Sequence, residues 1–319
     1  MPKKSKHLEF DSPWKDMIEL YFKAFLQFFV PHLHAAIDWS RGYEFLDKEL
    51  QKVVREAVTQ SRRVDKLVKV WLSNQEEILL YIHLEVQGQV EANFAQRMFI
   101  YHYRLYDRYG AQVMSLAILG DKKAAWRPQS YHYDQFGCRL TFQFPIIKLL
   151  DYQEQWAQLK LSHNPFSHVV QVHLKGLETQ QHPQQRLKGK IQLYQSLVES
   201  HYTPPEILEL FRFLDWVLVL PEELTLEFDQ FIHHYEKAKQ MRYVTSIERH
   251  GIQKGLEQGL LQQAQEAVVK VLQVRFTQLP KQLIEQLQQV KDRDQLSQLL
   301  EQAVLVNSLQ EFESLFNHK

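Results

Sequence analysis

The sequence predicts an α/β domain, a mixed sheet flanked by helices, followed by an all-helical region. Three observations carry this. Two runs rich in β-branched and apolar residues, 62–72 (RRVDKLVKVWL) and 77–87 (EILLYIHLEVQ), flank Ser73-Asn74-Gln75-Glu76, which has turn chemistry. Strand signals stop after residue 150. Only 10 Gly and 11 Pro occur in 319 residues, which favours long uninterrupted helices.

The elements follow in order. From Ser12 to Pro31, Met17, Ile18, Tyr21, Phe22, Phe25, Phe28 and Phe29 recur at helical spacing, so one amphipathic helix is expected, capped by Ser12 before Pro13 and stopped near Pro31. The β-hairpin of 62–87 comes next. Residues 91–109 switch to helical period, 112–119 (QVMSLAIL) reads as a short apolar strand, and a strand pair near 131–134 and 138–144 is joined around Gly137. Beyond 151, HNPF (163–166), QQHPQQ (180–185) and TPPE (203–206) punctuate helices, and Glu222/Glu223 after Pro221 suit a helix first turn. Gly251, Gly255 and Gly259 recur every fourth residue in a helical stretch read as a linker or self-association helix. After Pro280, two or three short helices are expected, with Leu296, Leu299, Leu300, Val304 and Leu309 on apolar faces. The organisation is therefore 1–150, an α/β domain; 151–245, a helical extension; and 246–319, the glycine-repeat helix and a C-terminal helical domain.

Composition narrows the function. With 45% hydrophobic and 24% charged residues the chain is ordinary globular material, not disordered, collagenous or a disulfide scaffold. Lys+Arg and Asp+Glu both total 38, so attraction to nucleic acid has to come from a local patch. A single Cys excludes an internal disulfide or a Cys-based zinc motif and points to a reducing cytosol. MPKKSKHLEF does not lead into a signal-peptide apolar region, and FLDWVLVLP is far shorter than the ~20 residues of a membrane span, so a cytoplasmic protein without membrane segments is expected.

In 77–87, alternation puts Ile78, Leu80, Ile82, Leu84 and Val86 on a uniformly aliphatic face, read as the core side. The other face carries Leu79, Tyr81, His83, Glu85 and Gln87. Asp65 lies 20 residues before Glu85, and the hairpin brings the two acids to neighbouring strands. Mg²⁺ is a hard ion that takes one or two carboxylates and completes its shell with water and substrate phosphate, so two converging acids suit it. Arg97, Tyr101, Arg104 and Arg108 share one helix stripe fit for phosphate contact, with Arg62, Arg63, Lys66 and Lys69 adding charge near Asp65.

The runs VDKLVKVWL, IHLEVQGQ and FAQRMFIYHYR, with DSPWKDMIELYF, IDWSRGYEFLDKEL, WRPQSYHY and GCRLTFQFPIIKLLD, resemble the recombination-promoting nuclease family, also called YhgA-like transposases, of the PD-(D/E)XK nuclease superfamily. The resemblance covers about the first half. The C-terminal part, from the glycine repeat through VLQVRFTQLP and the final Leu-rich helices, is similar to a helical domain often appended to these proteins, especially in cyanobacteria. The resemblance implies a PD-(D/E)XK restriction-endonuclease-like core and a DNA endonuclease using Mg²⁺ or Mn²⁺. Asp65 then corresponds to the metal-binding Asp of the second core strand, Glu85 to the acid of the (D/E)XK motif, and Gln87 to its usual Lys. The family resembled commonly has Gln there. Glu19 matches the auxiliary acid of the first helix, with Asp16 close enough to leave that assignment open. Arg97 and Tyr101 match the family's helix motif, and with Arg104 form the implied DNA-binding set.

Other chemistries lack their motifs. Cys138 sits in an apolar strand pattern and reads as a buried structural thiol. His32/His34 and His233/His234 form no zinc signature, and no Walker A, GxGxxG or GxSxG motif occurs. Two functions from different classes remain: a metal-dependent DNA endonuclease whose helical half mediates assembly into a homo-oligomer, and a catalytically inactive interaction protein that keeps the nuclease fold and oligomerises through its helices.

Overall fold

The computed structural model describes residues 11–48, 50, 66–73, 79–239, 246–276, 279–306 and 308–317. The chain divides into two compact units, Met1–Lys239 and Gln240–Lys319. The helices that follow residue 151 therefore share a unit with the α/β part as far as Lys239.

The first unit is built on a five-stranded mixed sheet. Its strands β1 (Tyr43–Phe45), β2 (Lys66–Trp71), β3 (Leu79–Gln87), β4 (Gln112–Leu119) and β7 (Ile146–Lys148) lie side by side in that order. β2 pairs antiparallel with β1 and β3, with Lys66 opposite Leu84, as the hairpin pattern predicts. β3 and β4 are parallel, with Glu85 beside Ala117 and Gln87 beside Leu119. Parallel neighbours need a crossover. The helical run in 91–109 supplies it as α4 (Phe94–Tyr109), ended by Gly110 in the left-handed conformation, φ +56°. β7 continues the parallel part beside β4, with Lys148 next to Leu119.

The opening helix is not continuous. It runs as α1 (Asp11–Leu20) and α2 (Phe22–Phe29), broken at Tyr21, and Pro31 starts a third, α3 (Pro31–Ala36). The break sets Phe22 against the β1 rings of Tyr43 at 4.9 Å and Phe45 at 5.6 Å, while Trp14 packs on Phe29 and Phe166.

Both faces of the sheet are covered, which corrects the expectation of one core face. Lys66, sharing the Leu84 face, meets Glu19 of α1, so α1 and α2 lie on that side. α4 covers the other, where Tyr81, Leu67 and Leu105 pack together, as do Phe94, Met98, Ala117 and Leu119. A central strand with a parallel neighbour is sealed on both sides by its crossover and the opposing helices. From Leu80 to Gln87 every residue of β3 is buried.

A separate two-stranded ribbon, β5 (Ser130–Gln135) and β6 (Cys138–Gln143), turns through Phe136 at φ +52° and Gly137 at φ +83°. Cys138 is exposed there, against the expectation of a buried thiol. It pairs with Gln135 beside the turn, and the ribbon rests on α4 through its base, where Tyr131 stacks on Phe99 and Phe142 packs at a tilt on His102.

Helices α5 (Trp156–Leu161), α6 (Pro165–Glu178), α7 (Pro183–Val198), α8 (Pro204–Val217) and α9 (Glu222–Lys239) complete this unit. The anticipated proline punctuation places Pro165, Pro183 and Pro204 at the first helical position, where the missing N–H has no intrahelical partner. α6 is buried almost throughout. The second unit holds α10 (Ser246–Phe276), α11 (Lys281–Gln289), α12 (Arg293–Leu305) and α13 (Leu309–Asn317) around Val268, Leu272, Leu283, Leu287, Leu296, Leu299 and Phe312. The end of α10 thus belongs to a packed helical core, while Val304, expected on an apolar face, is exposed. Among the described residues no helix is long and apolar enough to cross a membrane.

Candidate active site

Glu85 and Gln87 sit at the C-terminal end of the central strand, on the face under α4. Arg97, in the first turns of α4, closes over them. Its Nη2 donates to Glu85 Oε1 at 2.6 Å and to Gln87 Oε1 at 3.0 Å. Its Nη1 reaches both Glu91 carboxylate oxygens, at 2.7 and 2.6 Å. Gln87 Nε2 donates to Gln89 O at 2.7 Å, and the guanidinium lies 5.2 Å over the Phe94 ring. The side chains of Glu85 and Arg97 are 1% and 4% exposed, and Glu91, at 35%, is the side that opens to solvent.

The expected basic stripe is therefore corrected. Arg97 and Tyr101 are buried, Arg104 is half-buried, and Arg108 alone is exposed. The cause is the crossover: a helix returning over its own strand turns one face into the sheet, and a charged residue there survives only with charged partners.

Beside this cluster, His83 is fully buried with Tyr101 edge-on at 5.7 Å. Its Nδ1 lies 3.3 Å from Ser115 Oγ, which is 3.1 Å from His102 Nδ1. Burial pushes the His83 imidazole down to about 4; Glu85 opposes this, and Arg97 and Lys15 reinforce it. Burial likewise lowers His102.

The remaining predicted residues are distributed as follows. Glu19 accepts from Lys66 Nζ at 2.5 Å, and Asp47 takes the same ammonium at 2.6 Å. Glu19 thus joins a group on the face opposite Glu85. Asp16 is nearby on α1, its carboxyl raised by desolvation and by Glu19 against Lys66 and Lys15. Lys69 faces Glu44 at 3.8 Å. Asp65, Arg62 and Arg63 lie outside the described residues. So the structure unites Glu85, Gln87 and Arg97, sets Tyr101 next to them through His83, and separates Glu19.

Among the described residues no group of three or more His, Cys, Asp or Glu is arranged to hold a metal ion. A Mg²⁺ or Mn²⁺ ion does not require three: one or two carboxylates with water and phosphate suffice. Glu85 offers one hard oxygen donor and Gln87 an amide oxygen beside it, which is chemistry that fits such an ion.

Sequence reasoning missed Glu91, six residues before Arg97 at the entrance to α4, although an acid there is well placed to meet the first helical turns. It also missed a second buried pair. Lys148 donates to Asp121 at 2.5 Å and to Trp126 O at 3.3 Å, and register places Lys148 in the same row as Gln87, across Leu119. Nothing in the local pattern of 146–148 announced a strand. Comparison with protein-family models, with curated proteins and with solved structures finds no match to this chain.

Proposed function

We propose that the chain is a metal-dependent DNA endonuclease with a PD-(D/E)XK-like core, in which Glu85 and Asp65 hold Mg²⁺ or Mn²⁺. The observation that supports this most is the presentation of Glu85 and Gln87 side by side on the central strand, both held by Arg97 of the crossover helix. The order of elements agrees with the reading: a first helix, antiparallel strands, a crossover helix and a parallel strand.

The reaction is phosphodiester hydrolysis. A water oxygen forms a bond to phosphorus, the bond from phosphorus to one sugar oxygen breaks, and a water proton ends on that leaving oxygen. A bound divalent ion would supply Lewis-acid polarisation of the phosphate and lower the pKa of water. Glu85 contributes fixed negative charge, and Arg97 holds its carboxylate in one orientation. Gln87 can only hydrogen-bond, so it cannot offset the charge that develops on the phosphate as a Lys would.

The test is nicking of supercoiled plasmid in Mg²⁺ or EDTA by wild type, Glu85→Gln and Asp65→Ala. Nicking by the wild type in Mg²⁺ alone, lost in both variants at unchanged circular dichroism, is the expected result. Unchanged nicking by Glu85→Gln refutes the assignment. A second reading, a nuclease-fold interaction protein without catalysis, is favoured by the burial of Glu85 and its neutralisation by Arg97. It predicts no wild-type nicking in Mg²⁺ or Mn²⁺, with loss of stability the main effect of Glu85→Gln.

A further inference from the structure

We propose that the β5–β6 ribbon is a DNA wedge that inserts Phe136 between adjacent base pairs of the duplex held for cleavage. This rests on the endonuclease reading and extends it from the scissile phosphate to the DNA beside it.

Phe136 is the one non-glycine residue with positive φ, +52°, among the described residues, and its side chain is fully exposed. With Gly137 at φ +83° it forms the two-residue turn between the paired Gln135 and Cys138, a position that favours Asn or Asp over a bulky ring. The ring therefore gains nothing from packing and sits where the backbone disfavours it. Such an outlier points to a contact made outside the fold. Next to the turn, Asp134 and Arg139 lie opposite each other and pair at 2.6 Å, so the ring projects alone from polar strands. A protein or lipid partner would meet a broader apolar patch, whereas a gap between stacked bases takes a single apolar side chain.

The root of the ribbon joins it to the Glu85 cluster. The Arg97 guanidinium lies 5.2 Å over Phe94, which packs on Trp126 at 5.5 Å and on Phe144 at 6.3 Å, and Phe144 stacks on Phe142 of β6 at 5.5 Å. Phe94 and Phe144 share a core cluster with Ala117 and Leu119, the neighbours of Glu85 and Gln87 in register. Ribbon and cluster thus lie on the same side of the sheet, under and beside α4. Farther out, Tyr131 stacks on Phe99 of α4 at 5.4 Å and fixes the direction of the strands. From Tyr131 to Phe136 the strand reaches about 17 Å at about 3.4 Å per residue. DNA grooves are only about 7.5–8.5 Å deep, so the tip can enter the base stack while the root stays at the phosphates.

Charge at the root suits a polyanion. Lys122 and Lys123 are exposed in the loop that leaves β4 and leads into the ribbon, and neither enters an ion pair among the described residues. They follow Gly120, whose N–H donates to Gln87 O at 2.9 Å, so they stand at the Gln87 end of the sheet.

The experiment uses the full chain in Ca²⁺ and a set of short duplexes with 2-aminopurine at successive positions, a base whose fluorescence rises when it unstacks. Wild type, Phe136→Asn and Phe136→Leu are compared, with plasmid nicking in Mg²⁺ or Mn²⁺ read separately. Asn suits the positive φ, so Phe136→Asn should melt at or above the wild-type temperature. It should still bind duplex about 10-fold more weakly and lose the fluorescence rise. Its slope of log K against log salt should be unchanged, because the ring carries no charge. Phe136→Leu, which keeps an apolar wedge, should retain most of the affinity and the rise. If Phe136→Asn matches wild type in affinity and fluorescence, the wedge is refuted and nicking alone decides the endonuclease reading. A wild type that nicks without unstacking any probe base keeps that reading and also refutes the wedge. Unstacking by a wild type that never nicks upholds the wedge and ends the nuclease reading. Absence of duplex binding by the wild type overturns the wedge. If Phe136→Asn leaves duplex affinity unchanged but loses binding to phosphatidylglycerol vesicles, or self-association in light scattering, the tip belongs to a lipid surface or a second copy and the proposal falls.

Discussion

The Glu85–Arg97 cluster and the Lys148–Asp121 pair lie on the same face of one sheet, two strands apart, and are closed in different ways. Lys148 and Asp121 are one base and one acid, 0% and 4% exposed, under Trp126, whose ring lies 5.6 Å from the ammonium. Charge and donors match, and the pair is sealed. Arg97 instead serves two carboxylates and an amide, and one of those carboxylates, Glu91, opens to solvent. Among these described groups the acids outnumber the base. Both are buried salt bridges, yet of the two only the Arg97 cluster joins two described carboxylates on one base and has the open side that a metal ion or a phosphate-bound ion needs.

The largest effect should come from breaking the sealed pair. Lys148→Met leaves Asp121 buried without its cation, and removing one partner of a buried pair costs about 3–5 kcal/mol. Urea unfolding measures it. A loss below ~1 kcal/mol would show that water reaches Asp121 and would erase the contrast between the two clusters.

Acid should act next, on both clusters. Burial pushes His83, His168 and His173 each down to about 4, so they stay neutral in the fold, while in the unfolded chain they protonate near 6.5. Stability from this source is complete above pH ~6.5 and is lost as pH falls toward 4, where the unfolded state binds more protons. A tenfold loss of proton affinity on folding corresponds to about 1.4 kcal/mol. Thermal melts from pH 7 to 4 should show the decline. His83→Gln should flatten it on the Glu85 side and His173→Gln on the Asp121 side. A curve unchanged in His83→Gln would place that ring in contact with water.

Metal should separate the clusters directly. Mg²⁺ at 100 times its Kd would stabilise the fold by about 2.7 kcal/mol. A rise in Tm with Mg²⁺ is expected in wild type and in Lys148→Met, and not in Glu85→Gln. An equal rise in Glu85→Gln would put the ion elsewhere.

Much of this architecture is legible in the sequence, in a specific way. The hairpin, α4, β4 and the ribbon announce themselves because each is long enough to display its period, and Glu85, Gln87 and Arg97 stand together on motif spacing. What is not legible depends on tertiary closure. β1 and β7 have three residues each, too few to show alternation, and exist because a neighbouring strand offers an edge. The Tyr81, His83, Glu85 and Gln87 face resembles an open surface because polar side chains on alternate positions usually form one. α4 folding back over it makes the same pattern a buried network. The ribbon shows the reverse error: Cys138 in an apolar alternation suggests burial, but two strands beside a turn do not enclose anything.

The smallest effect is expected from Gln87→Lys. In a sealed one-to-one pair an added cation would be unmatched, as it would be next to Lys148. Beside Glu85 and Glu91 it enters a site with acid to spare. The change removes the acceptor for Arg97 Nη2 at 3.0 Å, a net loss of about 0.5–1.5 kcal/mol. An ammonium can still donate toward Gln89 O, as Nε2 does now, and attraction to the two carboxylates offsets the repulsion from Arg97. The net change in stability should therefore stay below ~1 kcal/mol, with a weaker rise of Tm in Mg²⁺ because the new cation competes for Glu85. If Gln87→Lys instead destabilises as much as Lys148→Met, the Arg97 cluster is already charge-balanced, and the two clusters are the same kind of structural pair.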